Sequence, residues 1–146
     1  MQSGIIVRHA TELDLPSVSV LLLEWLGLPR QRDSVFEDSI RKGELLVAEQ
    51  NGASVGFLHH VMHNDVIDGG PNSFITALYV SPSHRRKGIA SLLLRMAIRD
   101  ALKEGALGIE ASTTNPEAHR LYEKFAFQQF RGEIFLEIDM DKAREV

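Results

Sequence analysis

The chain contains no cysteine, which removes a disulfide framework, a thiolate zinc site, an iron–sulfur cluster and a cysteine nucleophile together. No apolar run approaches the ~20 residues that span a bilayer. The first residues, MQSGIIVRHA, lack a basic stretch followed by a long apolar core, so no secretory signal is expected. Positive charge is in deficit: 16 Lys and Arg against 20 Asp and Glu give a net charge of −4, which argues against nucleic acid as the main partner. Internal repeats, low-complexity tracts and linkers are absent as well. What remains, 44% hydrophobic and 25% charged over 146 residues, is the profile of an ordinary globular domain. A single domain over residues 1–146, soluble and cytoplasmic, is expected, large enough to bury about two-thirds of its unfolded surface.

The order of elements is legible from patterning. Ile5 to Arg8 reads as a strand. Asp14-Leu15-Pro16 reads as a helix start, with Asp14 as N-cap and proline in the first turn. Val18, Leu21, Leu22 and Trp25 form its apolar face, and Gly27 with Pro29 ends it. Ser34 is expected to cap a second short helix that carries Val35, Phe36 and Ile40 and stops at Gly43. Glu44–Gln50 and Ala53–Met62 read as strands joined by Asn51-Gly52, the strongest short hairpin signal. His63–Asn72 reads as a loop and Ser73–Val80 as a further strand.

After Ser81-Pro82-Ser83 comes the basic cluster His84-Arg85-Arg86-Lys87, then Gly88 and a helical pattern through Lys103. Ile89, Leu92, Leu93, Met96 and Ile98 give that helix a broad apolar face, and Gly105 closes it. Leu107–Ser112 reads as a strand, Asn115-Pro116 opens a helix to about Phe125, and strands follow near Phe127–Phe130 and Ile134–Met140. The polar tail Asp141–Val146 reads as frayed. This order predicts a mixed α/β fold, α+β-like, with a central sheet of six to seven strands and helices on both faces. Only the strand–helix–strand part around 74–112 need be parallel.

The segment from Leu78 to Ser91 carries most of the chemical information. A strand runs into a tight turn, and a helix begins with Gly88 and Ala90 in its first turn. The leading N–H groups of a helix have no partner inside it and sit at the positive end of its dipole, where an anion is favoured. Small residues at 88 and 90 let the anion approach the backbone. Neither a Walker loop nor a dinucleotide fingerprint occurs. A solvated basic turn is the competing reading, since charge runs often only face solvent.

Arg85-Arg86-Lys87-Gly88-Ile89-Ala90 resembles the diphosphate-binding motif [QR]-x-x-G-x-[GA] of the GNAT superfamily of N-acetyltransferases. The segment from Glu110 to Phe127 is similar to that family's second signature, E-x-x-x-x-N-x-x-A-x-x-L-Y-x-K-x-G-F. Glu110, Asn115, Ala118, Leu121, Tyr122, Lys124 and Phe127 match it. Ala126 departs from it, standing where the family has glycine. Alanine there is either strained by roughly 1 kcal/mol at positive φ, or the turn closes differently. Read physically, Asn115 is a good N-cap before Pro116. Ala118 and Tyr122, four apart, share a face on which a thin ligand fits beside the ring.

The resemblance implies a GNAT-type fold and transfer of an acetyl group from acetyl-coenzyme A to a primary amine in a ternary complex, with no metal. It implies that Leu78, Tyr79 and Val80 contact the cofactor through the main chain. Arg85, Arg86, Lys87, Gly88, Ile89, Ala90 and Ser91 would hold the diphosphate, and Asn115, Ala118 and Tyr122 the pantetheine arm. Tyr122, with a phenol near its ordinary pKa of ~10, would protonate the leaving thiolate. The amine must lose a proton before it attacks. Glu110 is the candidate base, through water, with His84 and His59 as alternatives. Trp25, Phe57 and His59 are the acceptor-side candidates, with Asp65 and Asp68 as acids of that side. Strand alternation sends His59 and His60 to opposite faces, which disfavours a zinc site.

The acceptor is a small-molecule amine or a protein amine; the second signature's spacing is similar to that of enzymes that acetylate protein N-termini. No nucleic acid or membrane partner is expected, and relatives are frequently homodimers. Two other classes fit part of the sequence: an acyl-coenzyme A sensor without turnover, and a phosphate- or RNA-binding domain using the basic turn. The acidic total charge counts against the second.

Overall fold

The computed structural model describes residues 4–27, 33–130 and 135–146. Seven strands are hydrogen-bonded in the order β1-β2-β3-β4-β5-β7-β6, where β1 is Ile5–His9, β2 Leu45–Gln50, β3 Ala53–Asp65, β4 Gly70–Val80, β5 Gly108–Ser112, β6 Phe127–Phe130 and β7 Phe135–Ile138. The helices are α1 (Leu15–Leu26), α2 (Asp33–Arg41), α3 (Ile89–Lys103), α4 (Pro116–Lys124) and α5 (Met140–Arg144). Strands β4 and β5 pair in parallel, aligning Phe74 with Glu110 and Ile75 with Ala111, as the crossover through α3 requires; β1–β2, β2–β3, β5–β7 and β6–β7 are antiparallel. The mixed sheet agrees with the sequence-based expectation. The chain packs as two compact units, Met1–His59 with Ala77–Met96, and His60–Thr76 with Ala97–Val146.

In the first unit, Leu45, Leu46, Val47 and Ala48 of β2 are all buried. Successive strand side chains point to opposite faces, so this strand is covered on both. Val18 and Leu21 of α1 pack with Ala10, Leu45, Val47, Phe57 and Tyr79, and Leu22, Phe36 and Ile40 close the edge of that core. Each fully buried aliphatic side chain contributes about 1.5–3 kcal/mol. Asn51 and Gly52 take φ of 53° and 81°, the left-handed pair that the β2–β3 hairpin demands. At Gly56 a Cβ would stand 2.9 Å from the Tyr79 carbonyl oxygen, so a side chain there would push β3 from β4.

Several boundaries differ from the sequence-based reading. Asp14 stands at the N-cap position of α1 as expected, but its side chain makes no capping bond to the helix and its backbone is already helical, with φ −87° and ψ −10°. Its carboxylate instead accepts from Arg8 Nη1 and Nη2 at 2.8 and 2.9 Å and from the Thr11 N–H at 2.8 Å. Ser34 lies inside α2, not at its cap, and Pro29 lies outside the described residues. The expected loop over 63–72 is mostly strand, because the Asp65 carboxylate accepts the Ile67 N–H at 2.7 Å and Gly69 turns left-handed at φ 78°. Only Val66–Gly69 remain as the turn.

In α3, Leu94 is fully buried while Leu92 is exposed, so the apolar face is rotated from the expected one and Met96 is half-buried at its margin. The expected strand Ile134–Met140 is shorter; Ile134 lies outside the described residues and β7 ends at Ile138. The tail is not frayed. Asp139 caps α5 by accepting from the N–H groups of Asp141 and Lys142, and Ala143 is buried.

Two predictions follow from this geometry. Arg8 holds the Asp14 carboxyl below its ordinary value, against the opposing effect of burial. A carboxylate with a depressed folded-state pKa stabilises the fold above its unfolded pKa, and that contribution is lost as pH falls through the folded value. Asp14→Asn should therefore cost about 1.5 kcal/mol at pH 7, and its deficit in urea unfolding should shrink below pH ~4. A deficit independent of pH would contradict the pairing. Ala126 adopts φ 69°, so the strained alternative is the one realised. Ala126→Gly should raise stability by about 1 kcal/mol, read as a higher unfolding midpoint; an unchanged or lower midpoint would contradict it.

Candidate active site

In the first unit, β4 ends at Val80 and a short 3-10 turn, Pro82–His84, leads into the basic segment. Pro82 fixes the entry, and the Ser81 N–H donates to the Val55 carbonyl at 2.8 Å, tying the turn to β3. Arg85 is extended at φ −74°, Arg86 is left-handed at φ 63°, and Gly88 is left-handed at φ 77°. Lys87, between them, does not share that region. Two left-handed residues one apart bend the backbone sharply just before the helix, and turns of this kind are where backbone N–H groups gather into anion-binding nests. A left-handed non-glycine costs about 1–2 kcal/mol, and such strain concentrates at functional segments.

Gly88 is not inside the helix, as the sequence suggested, but immediately before it: α3 begins at Ile89. Leu92 N donates to Gly88 O at 3.1 Å, so the N–H groups of Ile89, Ala90 and Ser91 precede the first backward bond of the helix. A Cβ built on Gly88 meets nothing within 4 Å, so the place of a side chain at 88 is open. Ile89 itself is buried and anchors the helix start. Arg86 and Lys87 are exposed and supply positive field. These residues fit a diphosphate: helix-start amides, a glycine without a side chain and exposed positive charge coincide.

Arg85 is placed differently from the expectation. Its Nε donates to the Val80 carbonyl at 2.9 Å, and its guanidinium lies 5.4 Å from the centroid of the Tyr79 ring. Tyr79 is buried, stacks on Trp25 at 5.2 Å and 14°, and lies 6.3 Å from Phe57. Its hydroxyl donates to Glu24 at 2.7 Å. Burial first, then the Glu24 carboxylate, hold the Tyr79 phenol above its ordinary value, with Arg85 opposing them.

Two of the three acceptor-side candidates therefore meet: Trp25 and Phe57 are 6.1 Å apart in an edge-on contact. His59, two residues further along β3, has its Nε2 3.2 Å from Ser39 Oγ. Burial lowers its pKa, with Glu44 opposing, so it is neutral at pH 7. His84 pairs with Ser83 at 3.0 Å in an exposed position. Leu78 is half-buried and Val80 buried in β4.

In the second unit, Asn115 caps α4 as expected, its Oδ1 accepting the Glu117 N–H at 2.9 Å. Pro116 occupies the first helical position, which has no use for an N–H. One turn separates half-buried Ala118 from Tyr122. Tyr122 is 3% exposed and its ring lies 5.1 Å from Phe127. Burial pushes the phenol well above its ordinary value, which corrects the expectation of an unperturbed group. Tyr122 is a neutral hydrogen-bond donor throughout the physiological range.

Glu110, half-buried on β5, is one of three carboxylates around a single amide. Asn72 Nδ2 donates to Asp68 at 2.6 Å, to Asp65 at 3.3 Å and to Glu110 at 3.4 Å. Oxygen atoms of the three acids lie within 4.8 Å of one another, a hard-cation type of donor set in which the Asn72 amide supplies the opposing dipole. His60 faces away from His59, with Nδ1 3.0 Å from Ser73 Oγ.

Sequence reasoning missed Glu24, Ser39 and Asn72 as neighbours of the predicted residues. It named Asp65 and Asp68 as acceptor-side acids, and the structure places them with Glu110 around Asn72 instead. The left-handed Arg86 left no signal at all.

Comparison with known proteins adds an independent finding. The uncharacterized N-acetyltransferase YafP of Escherichia coli is 30% identical over 96 residues, covering 66% of this chain and 53% of that protein. The chain thus spans about half the length of that curated relative. An aminoglycoside N(6')-acetyltransferase type 1 of Salmonella typhimurium is 25% identical over 76% of this chain and 82% of its own length. A solved structure, the NatC complex bound to Gag peptide and CoA, shares the fold with a TM-score of 0.75 at 19% identity, covering 92% of this chain and 98% of that one. The family model described as "Acetyltransferase (GNAT) family" matches residues 15–127, which takes in the strand–turn–helix and the Asn115-capped helix together. The chain belongs to the GNAT family of acetyltransferases.

Proposed function

We propose that the protein is an acetyl-coenzyme A-dependent N-acetyltransferase, acting on a primary amine in one ternary complex. The observation that carries the reading is the helix start after Gly88, where three amides precede the first backward bond, the place of a side chain at 88 is open, and Arg86 and Lys87 are exposed. Amides of Ile89, Ala90 and Ser91 would hold the diphosphate. Main-chain groups of Leu78, Tyr79 and Val80 would line the thioester end, and Asn115, Ala118 and Tyr122 the pantetheine arm. Acetyl-coenzyme A supplies the activated acetyl group; the chain's own task is to hold it, to deprotonate the amine and to donate to the departing sulfur.

An alkylammonium with a pKa near ~10.4 has almost no free lone pair at pH 7. Glu110 acting through water is the proposed base. His59 is the weaker candidate because its Nε2 is engaged by Ser39. Tyr122 is the proposed donor to the leaving sulfur. Its raised pKa makes full proton transfer less favourable than for a free phenol, so its contribution is a hydrogen bond that strengthens as charge develops. Because the phenol stays neutral well above pH 8, no alkaline fall in rate near neutrality should trace to it.

The acceptor class is an amine held near Trp25, Phe57 and His59. One relative is named for aminoglycoside acetylation and one structural neighbour holds a peptide; both supply primary amines, and the choice between them belongs to an amine screen. We further place the reaction in the cytoplasm, in one catalytic domain over 1–146, as a homodimer. Among the described residues no helix is long and apolar enough to cross a membrane.

Thiol release from acetyl-coenzyme A with a panel of amines tests the activity; binding without turnover on any amine would favour the sensor instead. Gly88→Glu should reduce coenzyme A affinity at least ~100-fold in calorimetry, through bulk and like charge beside the amides. Affinity within threefold of the parent, roughly 0.7 kcal/mol, would remove the diphosphate from this turn. Tyr122→Phe should lower kcat by roughly 100-fold with coenzyme A affinity little changed. Equal turnover would remove Tyr122 from the mechanism.

A further inference from the structure

Arg85 differs from its two basic neighbours in what it touches. All three are exposed, but Arg85 donates from Nε to the last carbonyl of β4 and lies over the Tyr79 ring. That carbonyl, on Val80, immediately precedes the turn. Tyr79 is itself immobilised: its hydroxyl donates to Glu24 of α1 at 2.7 Å, and Trp25 of the same helix stacks on its ring at 5.2 Å. A continuous path therefore runs from α1 through Glu24 and Tyr79 to Arg85 and the turn.

We propose that Arg85 is a positioning residue for the anion-binding turn, with Tyr79 and Glu24 as the platform that aims it. Its guanidinium closes the turn on Val80 O and holds Arg86 and Gly88 in their left-handed conformations. The field at the diphosphate comes from Arg86 and Lys87. The strain at Arg86 gives the reason a clamp is needed: a residue held at φ 63° relaxes unless its surroundings over-determine it. A directional Nε–H bond plus a flat face on an aromatic ring is a task for guanidinium, and an ammonium on a flexible stem does not reproduce it. The inference about ligand affinity rests on the diphosphate reading above; the inference about the turn does not.

The experiment separates the two by reading the ligand-free protein first. Amide hydrogen exchange over residues 85–92 should accelerate about fivefold or more in Arg85→Lys, because the charge is kept and the clamp is lost. Lys87→Ala should leave exchange there unchanged. Arg85→Gln, neutral but able to donate to Val80 O from a planar amide, should exchange more slowly than Arg85→Lys. Tyr79→Phe keeps the ring and removes only the bond to Glu24, and should give an intermediate acceleration. If Arg85→Lys proves too unstable to measure, Tyr79→Phe and Glu24→Gln decide the matter on their own.

Coenzyme A titrations on the Arg85 and Tyr79 variants should rank them as exchange does, with Arg85→Lys about tenfold weaker than the parent, whereas Lys87→Ala should weaken binding with exchange unchanged. Exchange in Arg85→Lys equal to the parent, or full affinity in Arg85→Lys with loss in Arg85→Gln, overturns the positioning role and makes Arg85 a counter-charge. A parent protein that binds no coenzyme A sinks the diphosphate reading instead, while the exchange data still decide the clamp.

Discussion

A helix that starts without partners for its first N–H groups must be given them by water, by a cap or by a ligand. At α3 the residue before the first turn is Gly88, which has no side chain to cap with, and Arg86 ahead of it is left-handed as well. The consequences spread outward from that choice. Gly56 has to be small so that β3 can lie against the Tyr79 backbone, Pro82 sets the entry to the turn, and Arg86 accepts a conformation that most side chains avoid. Local stability is given up at one segment and recovered in the apolar core around Val47 and Phe57.

The two units divide the chemistry. The first holds the anion-binding turn and the aromatic cluster of Trp25, Phe57 and Tyr79. The second holds the capped helix α4, the buried Tyr122 and the carboxylates that share Asn72. In each, an ionisable group is fixed by a neutral or opposite partner: Asp14 by Arg8, Tyr79 by Glu24, Glu110 by the Asn72 amide. Burial acts on both tyrosines in one direction, keeping the phenols protonated and therefore usable as donors.

What the sequence made legible is what local physics dictates. Asn51-Gly52 announced its hairpin because few residue pairs tolerate two left-handed positions. Asn115-Pro116 announced α4 because one supplies a cap and the other needs no N–H. The diphosphate turn was visible as small residues after a strand and a run of charge. Long-range partners were not visible. Asp14 has every local mark of an N-cap, yet Arg8 on the neighbouring strand outbids the helix for its carboxylate. Tyr122 looked like an ordinary phenol because burial is a property of the packed chain. Arg85 looked like one of three equivalent charges until the carbonyl it holds and the ring beneath it were in view.

The central claim is that main-chain nitrogens at the start of α3 grip a diphosphate. A titration of the nitrogen-15-labelled protein with coenzyme A, followed by amide chemical shifts, addresses it directly. The account predicts that the resonances of Ile89, Ala90 and Ser91 move furthest and saturate together, since charge-assisted bonds to phosphate oxygens deshield those protons. Saturable binding with these three resonances unmoved would place the diphosphate elsewhere and contradict the account.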